Sequence, residues 1–582
     1  MNRRINTKST ADSNRLKIVG WSLLFLGAII IGRLFYIQII KGSDYKQLAR
    51  SEHNKKFEIP AKRGEILASD GDQTVPLVLN EPAYTVFADP RYVVDKDKTA
   101  QELSKVLDMQ EKAIKSKLDV DGAYSVIAYR VDTKEADKIK KMKLKGIGAS
   151  EGSKRVYTEG NLAAHTLGFV NNDGIGQYGI EQAFNKQIAG QAGQLDGATD
   201  IGGVPIATEG SIVKNPKDGD DLILSLDLSV QVQAEHFLKQ GVDKTRADSA
   251  SIVIMNPSNG KIIAMANYPT FDPDKYTKQK DISVFQNNVV SGAYEPGSVA
   301  KVFTMSTALE KGVVSPDTTY LDRSIRIIDD YKIQNTGPII TKQRTMTDVI
   351  TRSANTGTIF ALEQLGGGDI NNKAKQELYD SFKNRFHFGT KTGVEQTGEA
   401  DGILGTPKES SDVRYANMSF GQGVSMTMMQ LTAAVSAIAN GGTYYQPTLI
   451  DQVKKSDGST TQNKPKVVKE NVLSEKTVKQ IKDMMRTVVG PEGSGYQAII
   501  DGYDIAGKTG TAEIAKPGGG YYKDREIGSF FGFTPTDKPE YVIMVRVDNP
   551  KQPDVFGSRA AVGVFADMNK WLIDYYGVAP SR

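Results

Sequence analysis

This chain of 582 residues contains no cysteine and only four histidines, His53, His165, His236 and His387, which are scattered and show no H-x-x-x-H spacing. Thiol nucleophiles, disulfides and Cys-ligated metals are thereby excluded, and a Ser-His-Asp triad is disfavoured. A nucleophile here would be a hydroxyl, and its base a lysine or a carboxylate. The spacing S-x-x-K occurs at Ser43, Ser211, Ser258 and Ser298. Ser43 adjoins an apolar N-terminal run, Ser211 lies in a polar hinge, and Ser258 sits in a hairpin turn. Ser298 alone opens a helix. Glu295-Pro296-Gly297 stops the preceding chain, and Val299, Val302, Phe303 and Leu309 mark an apolar stripe up to Gly312. Positions i and i+3 share a helix face, so Lys301 can lie beside the Ser298 hydroxyl. The helix N-terminus also offers free N–H groups to developing negative charge. Taken alone, the same spacing fits a serine that merely caps a helix.

Two further motifs favour chemistry. Ser353-Ala354-Asn355 is the only S-x-N in the chain, at a break between residues 346–352 and a helix expected from about Thr358. It supplies a hydroxyl for proton relay and an amide for hydrogen bonding to a peptide, although Ser and Asn are also ordinary caps. The third motif is Lys508-Thr509-Gly510-Thr511. Alternation along a strand puts Thr509 and Thr511 on one face, while Gly510 leaves room for a ligand backbone. Such an edge strand could pair with an extended peptide, its hydroxyls holding a terminal carboxylate. Lys391-Thr392-Gly393 repeats the triplet in a turn without a strand and reads as structural. Gly502 to Thr509 satisfies the Walker A expression, but Gly510 and a strand-like 511–515 follow where a P-loop needs a helix.

These residues need a scaffold. Lys plus Arg number 73 against 69 Asp plus Glu, a net charge of +4, so no nucleic-acid footprint is expected. Residues 18–40 are apolar apart from Arg33, and Arg3, Arg4, Lys8, Arg15 and Lys17 precede them against Asp12 alone. This predicts a retained single-pass anchor, N-terminus cytoplasmic and all else extracytoplasmic. The alternative, a cleaved signal peptide, lacks a small-residue cleavage site in Lys41-Gly-Ser-Asp-Tyr45. The expected organisation is a tail over 1–17, the anchor over 18–40, an elongated pedestal over 41–220 and a catalytic domain over 221–582. In the pedestal, Val126–Val131 reads as a strand. Lys138, Lys140, Lys141, Lys143 and Lys145 read as a solvated face, and Gly174, Gly176, Gly179, Gly190, Gly193, Gly202 and Gly203 as irregular punctuation. Strands are predicted at 222–226, 503–506, 527–533 and 541–547, a hairpin at 251–266, helices at 299–311 and 429–439, and a polar insertion at 454–470. Strands at both ends with helices between predict one large α/β domain whose sheet draws on both ends of its chain.

The ordered set Ser298-x-x-Lys301, Ser353-x-Asn355, Lys508-Thr509-Gly510 resembles that of the penicillin-binding serine transpeptidases. Tyr294-Glu-Pro-Gly-Ser298, Ala266-Asn-Tyr-Pro269, Ser419-Phe-Gly-Gln-Gly423 and Ala506 to Ala512 are similar to class B members, as are Arg63-Gly64-Glu-Ile66 and Gly179-Ile-Glu181. The resemblance implies an α/β (α+β) transpeptidase domain with a mostly antiparallel sheet flanked by helices, the pedestal and the anchor. No glycosyltransferase motifs appear in 45–215, and only 72 residues follow Gly510, which leaves no room for appended repeats. A division-type member is the expected match, with an elongation-type member as alternative. The resemblance further implies a D,D-transpeptidase that cross-links peptidoglycan stem peptides through an acyl-Ser298. Lys301 would be the base, Ser353 the proton relay and Asn355 the aligner of the donor peptide. The N–H groups of Ser298 and Thr511 would form the oxyanion hole, and Lys508, Thr509 and Thr511 would hold the terminal carboxylate beside Gly510. β-Lactams would acylate Ser298. The expected protein partner is a membrane polymerase of the shape, elongation, division and sporulation family, and no cofactor or metal is expected. Rival readings are a carboxypeptidase or β-lactamase, which needs a carboxylate to activate deacylating water, and a non-catalytic scaffold or sensor.

Overall fold

The computed structural model describes residues 10–45, 54–122, 124–199, 205–206, 212–516, 520–553 and 557–581. Arg3, Arg4, Lys8, His53, Gly202, Gly203 and Ser211 lie outside the described residues. The chain divides into two compact units, residues 1–61 with 191–217 and residues 62–190 with 218–582.

In the first unit, helix Thr10–Phe35 runs into a π-helical turn, Tyr36–Ile40. Residues 15–40 have a mean hydropathy of 2.2 and are long and apolar enough to cross a membrane. Trp21, Leu24 and Phe25 are exposed. Strands Asn54–Ile59 and Ile212–Lys214 flank Gly193–Thr199 in an antiparallel sheet that Pro205–Ile206 extends.

The second unit contains a seven-stranded sheet to which distant segments contribute. Ile66–Asp70, Gln73–Ala88, Ser125–Asp132 and Ile147–Tyr157 join Asp221–Asp227, Ile450–Lys454 and Thr460–Gln462, with Ile66–Asp70 and Asp221–Asp227 pairing in parallel. The five lysines between 138 and 145 are exposed, as their spacing predicts. Beside this sheet the two N-terminal motifs meet. Glu181, fully buried, accepts from Arg63 Nε at 2.8 Å and from Arg155 Nε at 2.7 Å. Asn80 closes the cluster, accepting from Arg155 Nη1 at 2.9 Å and donating to Arg63 O at 2.6 Å. Burial holds the Arg63 guanidinium below its ordinary pKa, against the pull of Glu181.

The larger, C-terminal part of this unit follows residue 227. Its strands are β1 (Ser249–Met255), β2 (Ile262–Tyr268), β3 (Thr319–Asp322), β4 (Ile325–Ile328), β5 (Tyr331–Gln334), β6 (Lys342–Thr345), β7 (Ala506–Ala515), β8 (Tyr521–Thr534) and β9 (Tyr541–Asp548). Its principal helices are α1 (Leu228–Thr245), α2 (Lys301–Glu310), α3 (Met346–Thr351), α4 (Asn355–Leu365), α5 (Met428–Ala439), α6 (Glu475–Val488) and α7 (Gly557–Tyr576). The main sheet is antiparallel throughout, in the order β2-β1-β9-β8-β7. The hairpin predicted at 251–266 is β1–β2. Residues from the start and the end of the domain thus share one sheet, and β7 is left as its edge.

Alternation decides which core each sheet residue enters. Ile252, Ile254, Phe530, Ile543 and Val545 pack with α1 and α7 on one face. Val253, Met255, Phe531, Val542 and Met544 join the larger core built by α2, α4, α5 and α6 on the other. Hairpins β3–β6 and β4–β5 are pendant from the helical side. Three local differences from the sequence reading have physical causes. Strand structure begins at Ala506 rather than 503, because Gly502 (φ +85°) and the Tyr503 N–H to Ile500 O bond make a turn. Helix α4 begins at Asn355 rather than near Thr358. The chain around Ser298 is a 3-10 turn, Gly297–Ala300, which becomes α-helical only at Lys301.

Glu181→Gln leaves two buried guanidinium groups with no carboxylate between them. The expected cost is about 3–5 kcal/mol, read as a drop in the thermal midpoint with the active-site chemistry of the surviving folded fraction unchanged.

Candidate active site

Ser298 is partly exposed on the tight turn whose last hydrogen bond runs from Lys301 N to Ser298 O. With three residues per turn, positions 298 and 301 eclipse one another, so Lys301 follows Ser298 on one face more directly than an α-helix would allow. Gly297 makes the turn possible. Its φ is +56°, and a Cβ there would lie 2.3 Å from Thr511 O. The Gly297 N–H donates to Gly421 O at 3.0 Å, so the 419–423 loop holds the other side of the turn. Gly510 works by the same exclusion, since a methyl group there would sit 2.4 Å from Ser529 Oγ and 2.9 Å from Pro296 O. The serine turn and strand β7 therefore touch backbone to backbone.

The Lys301 side chain is fully buried and reaches the second motif. Its Nζ donates to Ser353 O at 2.5 Å and to Ser353 Oγ at 3.2 Å. Lys508, also fully buried, donates from Nζ to the same Ser353 Oγ at 3.0 Å, to Thr509 O at 3.0 Å and to Thr509 Oγ1 at 3.3 Å. Ser353 presents both its oxygens to these amines because its φ is +60°, a conformation uncommon for a residue with a Cβ. Neither lysine has a salt-bridge partner among the described residues. Desolvation first, and then the nearby Lys508 charge, hold Lys301 well below the usual lysine pKa. Desolvation alone brings Lys508 down to about 7. Two un-neutralised amines on one hydroxyl oxygen favour the state in which one of them is uncharged.

Asn355 is partly exposed at the start of α4, and its Nδ2 donates to Gln334 O at 2.9 Å. Along β7, Lys508, Gly510 and Ala512 turn toward the helical core that carries the serine turn. Thr509 and Thr511 alternate with them, Thr511 exposed and Thr509 buried against Ser494, whose Oγ lies 2.7 Å from Thr509 Oγ1. The structure thus joins Lys301 and Lys508 at Ser353, two residues before Asn355, and packs the Ser298 turn against the Lys508–Thr511 strand. Ser258 lies in the β1–β2 turn, Ser43 adjoins the apolar helix, and Ser211 is outside the described residues. Lys391-Thr-Gly393 is a loop whose Thr392 N–H and hydroxyl both donate to Glu399. The Walker-like segment continues as β7, with no helix after Thr509.

Sequence reasoning missed several supports. Ser494 carries no motif. Glu295 was visible only as part of the segment before the serine, yet its carboxylate accepts from Gly423 N at 2.9 Å and from the Tyr521 hydroxyl at 3.0 Å. It ties the serine turn to both the 419–423 loop and β8, and burial raises its pKa above the usual carboxylate value. Among the described residues no cluster of His, Asp and Glu is arranged to hold a metal ion.

Residues 250–570 match the penicillin binding protein transpeptidase domain, and residues 58–224 match the penicillin-binding protein dimerisation domain. The chain is 35% identical over 563 residues to stage V sporulation protein D of Bacillus subtilis, covering 95% of this chain and 84% of that protein. It is 28% identical over 574 residues to the peptidoglycan D,D-transpeptidase FtsI of Escherichia coli K12, covering 97% and 92% respectively. Penicillin binding protein 3 of Mycobacterium tuberculosis, solved with aztreonam, aligns with a TM-score of 0.69 at 26% identity over 90% of this chain and 98% of that one.

Gly510→Ala would force β7 away from the serine turn by the overlaps just described. Acylation by a fluorescent penicillin is expected to slow about a hundredfold, with circular dichroism unchanged.

Proposed function

Because the chain belongs to the class B penicillin-binding proteins, we propose that it is a serine D,D-transpeptidase in which Ser298 is the nucleophile and Lys301 its base. The observation that carries this reading is the convergence of Lys301 and Lys508 on Ser353 Oγ, with the Ser298 turn packed against β7. The donor is a peptidoglycan stem peptide ending in D-Ala-D-Ala. Uncharged Lys301 takes the Ser298 proton as Oγ attacks the carbonyl carbon between the two D-alanines. The tetrahedral oxyanion is received by the backbone N–H groups of Ser298 and Thr511. Lys301 passes its proton to Ser353, whose hydroxyl already lies within reach of both lysines. Ser353 delivers a proton to the leaving amine, and D-alanine departs as the acyl-enzyme forms. An amine of a second stem peptide then attacks the ester, with the relay reversed, and the cross-link closes.

Lys508 supplies the charge that the terminal carboxylate meets, with the Thr509 and Thr511 hydroxyls as further donors. Edge strand β7 has a free row of backbone groups along which the donor lies extended, Gly510 leaving space and Asn355 aligning the peptide amide. A β-lactam presents a carboxylate and an acyl carbonyl of the same layout and so acylates Ser298. The names of relatives such as the E. coli FtsI support a role in septal wall synthesis. The 35% identity to a sporulation protein supports a second reading, wall synthesis during sporulation. The basic residues before the apolar helix support an N-terminus in the cytoplasm and a catalytic domain outside. That helix and the pedestal are where a membrane polymerase of the shape, elongation, division and sporulation family would dock.

Mass spectrometry of the fluorescent-penicillin adduct is expected to place the label on tryptic peptide 281–301, and Ser298→Ala to abolish it. A label on another peptide overturns the assignment, and rapid release of the drug favours a β-lactamase. The bimolecular acylation rate is expected to rise as Lys301 loses its proton, at a pH well below the usual lysine value. It should fall above about pH 7 as free Lys508 loses its charge. A bound carboxylate favours the charged lysine, so the falling limb of the saturated rate should lie at higher pH. The absence of native cysteine permits a direct orientation test. In intact cells a membrane-impermeant maleimide should label Ser43→Cys and not Thr7→Cys.

A further inference from the structure

Helix α4 carries the Asn355 end of the second motif, yet its N-cap residue, Ala354, has no side chain able to bond the free N–H groups of the first turn. The missing cap comes from another element. Asn335, which follows β5, accepts the Thr356 N–H on Oδ1 at 3.0 Å. The neighbouring Gln334 carbonyl accepts Asn355 Nδ2 at 2.9 Å. Two consecutive residues at the end of the β4–β5 hairpin therefore hold Asn355, the last residue of the second motif, and Thr356, which follows it.

Asn335 is itself fixed. Its Nδ2 donates to both oxygens of Asp322 at 3.1 Å, and its backbone N–H donates to Ser324 O at 2.9 Å. Asp322, fully buried at the end of β3, also accepts from Ser324 N at 2.8 Å, Arg344 Nε at 2.7 Å and Thr356 Oγ1 at 2.8 Å. Arg344 supplies the countercharge that lets the carboxylate stay buried. The Tyr320 hydroxyl, 3.1 Å from Thr356 Oγ1, completes the junction.

We propose that Asn335 is a positioning residue for transpeptidation: anchored on Asp322, it caps α4 in place of position 354 and holds the Gln334 carbonyl where it orients the Asn355 carboxamide. This rests on the reading of Asn355 as the group that aligns the donor peptide. With one N–H engaged by Gln334, the amide plane is set, and the oxygen and second N–H are presented to the donor in one orientation. Loss of Asn335 frees that plane and the first turn of α4 together, while Ser298, Lys301 and Lys508 keep their places.

The test uses the full-length, detergent-solubilised protein and benzylpenicillin, with the saturated acylation rate and the apparent dissociation constant measured separately. Asn335→Ala is expected to slow the saturated rate about ten- to a hundredfold, with a smaller change in the dissociation constant. In an Asn355→Ala background the same substitution should cause less than a twofold further loss, because the group it orients is gone. Equal losses in both backgrounds would overturn the proposal, as would an unchanged rate. Thr356→Val removes the hydroxyl's bonds but keeps the Thr356 N–H on Asn335, so its rate should stay within threefold of wild type. A loss matching that of Asn335→Ala would mean general loosening of the junction and would also overturn the proposal. Should Asn335→Ala not fold, Asn335→Asp, whose carboxylate repels Asp322, takes its place in the cycle with the same expected pattern. Wild-type protein that fails to acylate at Ser298 would instead defeat the functional reading, which keeps the two failures apart.

Discussion

The Ser353 hydroxyl oxygen receives hydrogen bonds from two buried lysines that no carboxylate among the described residues neutralises, and the rest of the site is arranged around that contact. A lone ammonium withdrawn from water is costly, and a second one on the same oxygen raises the cost. The arrangement is tolerable only if one amine gives up its proton. An arrangement that favours this state keeps an unprotonated amine available near neutral pH without a histidine. Lys301 feels both desolvation and the Lys508 charge, and both lower its pKa. Lys508 keeps enough basicity to be charged when an anion arrives.

Geometry follows from this requirement. Lys301 can reach both the carbonyl and the hydroxyl of Ser353 only because that residue adopts the left-handed conformation. The conformation persists because α3 and α4 hold the chain on either side of it. The 3-10 turn stacks Ser298 over Lys301, and glycines at 297 and 510 let the turn and the edge strand approach to distances that any side chain would prevent. The rigid partner in this contact is the antiparallel sheet, whose two faces are buried in separate cores. Its edge strand β7 lies against the serine turn, with Lys508 reaching Ser353.

A second layer of polar contacts fixes what the first layer cannot. Glu295 joins the serine turn to the 419–423 loop and to β8, and the Asp322–Asn335 junction joins the pendant hairpins to the second motif. The Arg63–Glu181–Arg155 cluster does comparable work at a distance from the chemistry, where two segments more than a hundred residues apart meet on one buried carboxylate. In each case one acidic side chain accepts from several donors carried on different elements, so its loss is felt at all of them.

Much was readable before any coordinates. The absence of cysteine and the scatter of histidine pointed to lysine or carboxylate as the base, and the motifs at Ser298, Lys301, Ser353, Asn355 and Lys508–Thr511 pointed to the residues proposed to react. Two apolar, β-branched runs on either side of the turn Asn256-Pro-Ser-Asn-Gly260 foresaw the β1–β2 hairpin, and a charge-free run announced the apolar N-terminal helix. These are local properties, because spacing and alternation act over a few residues. The left-handed Ser353, the tight turn at Ser298, the start of α4 at Asn355, the Ser494–Thr509 contact and the cap supplied by Asn335 were not readable. Each is set by partners far away in the chain, and no short window of sequence contains both halves of such a contact. The sequence by itself determined which groups could react. Only the tertiary structure decided that two lysines 207 positions apart would share one hydroxyl, since desolvation and charge proximity exist only once the chain has closed around them.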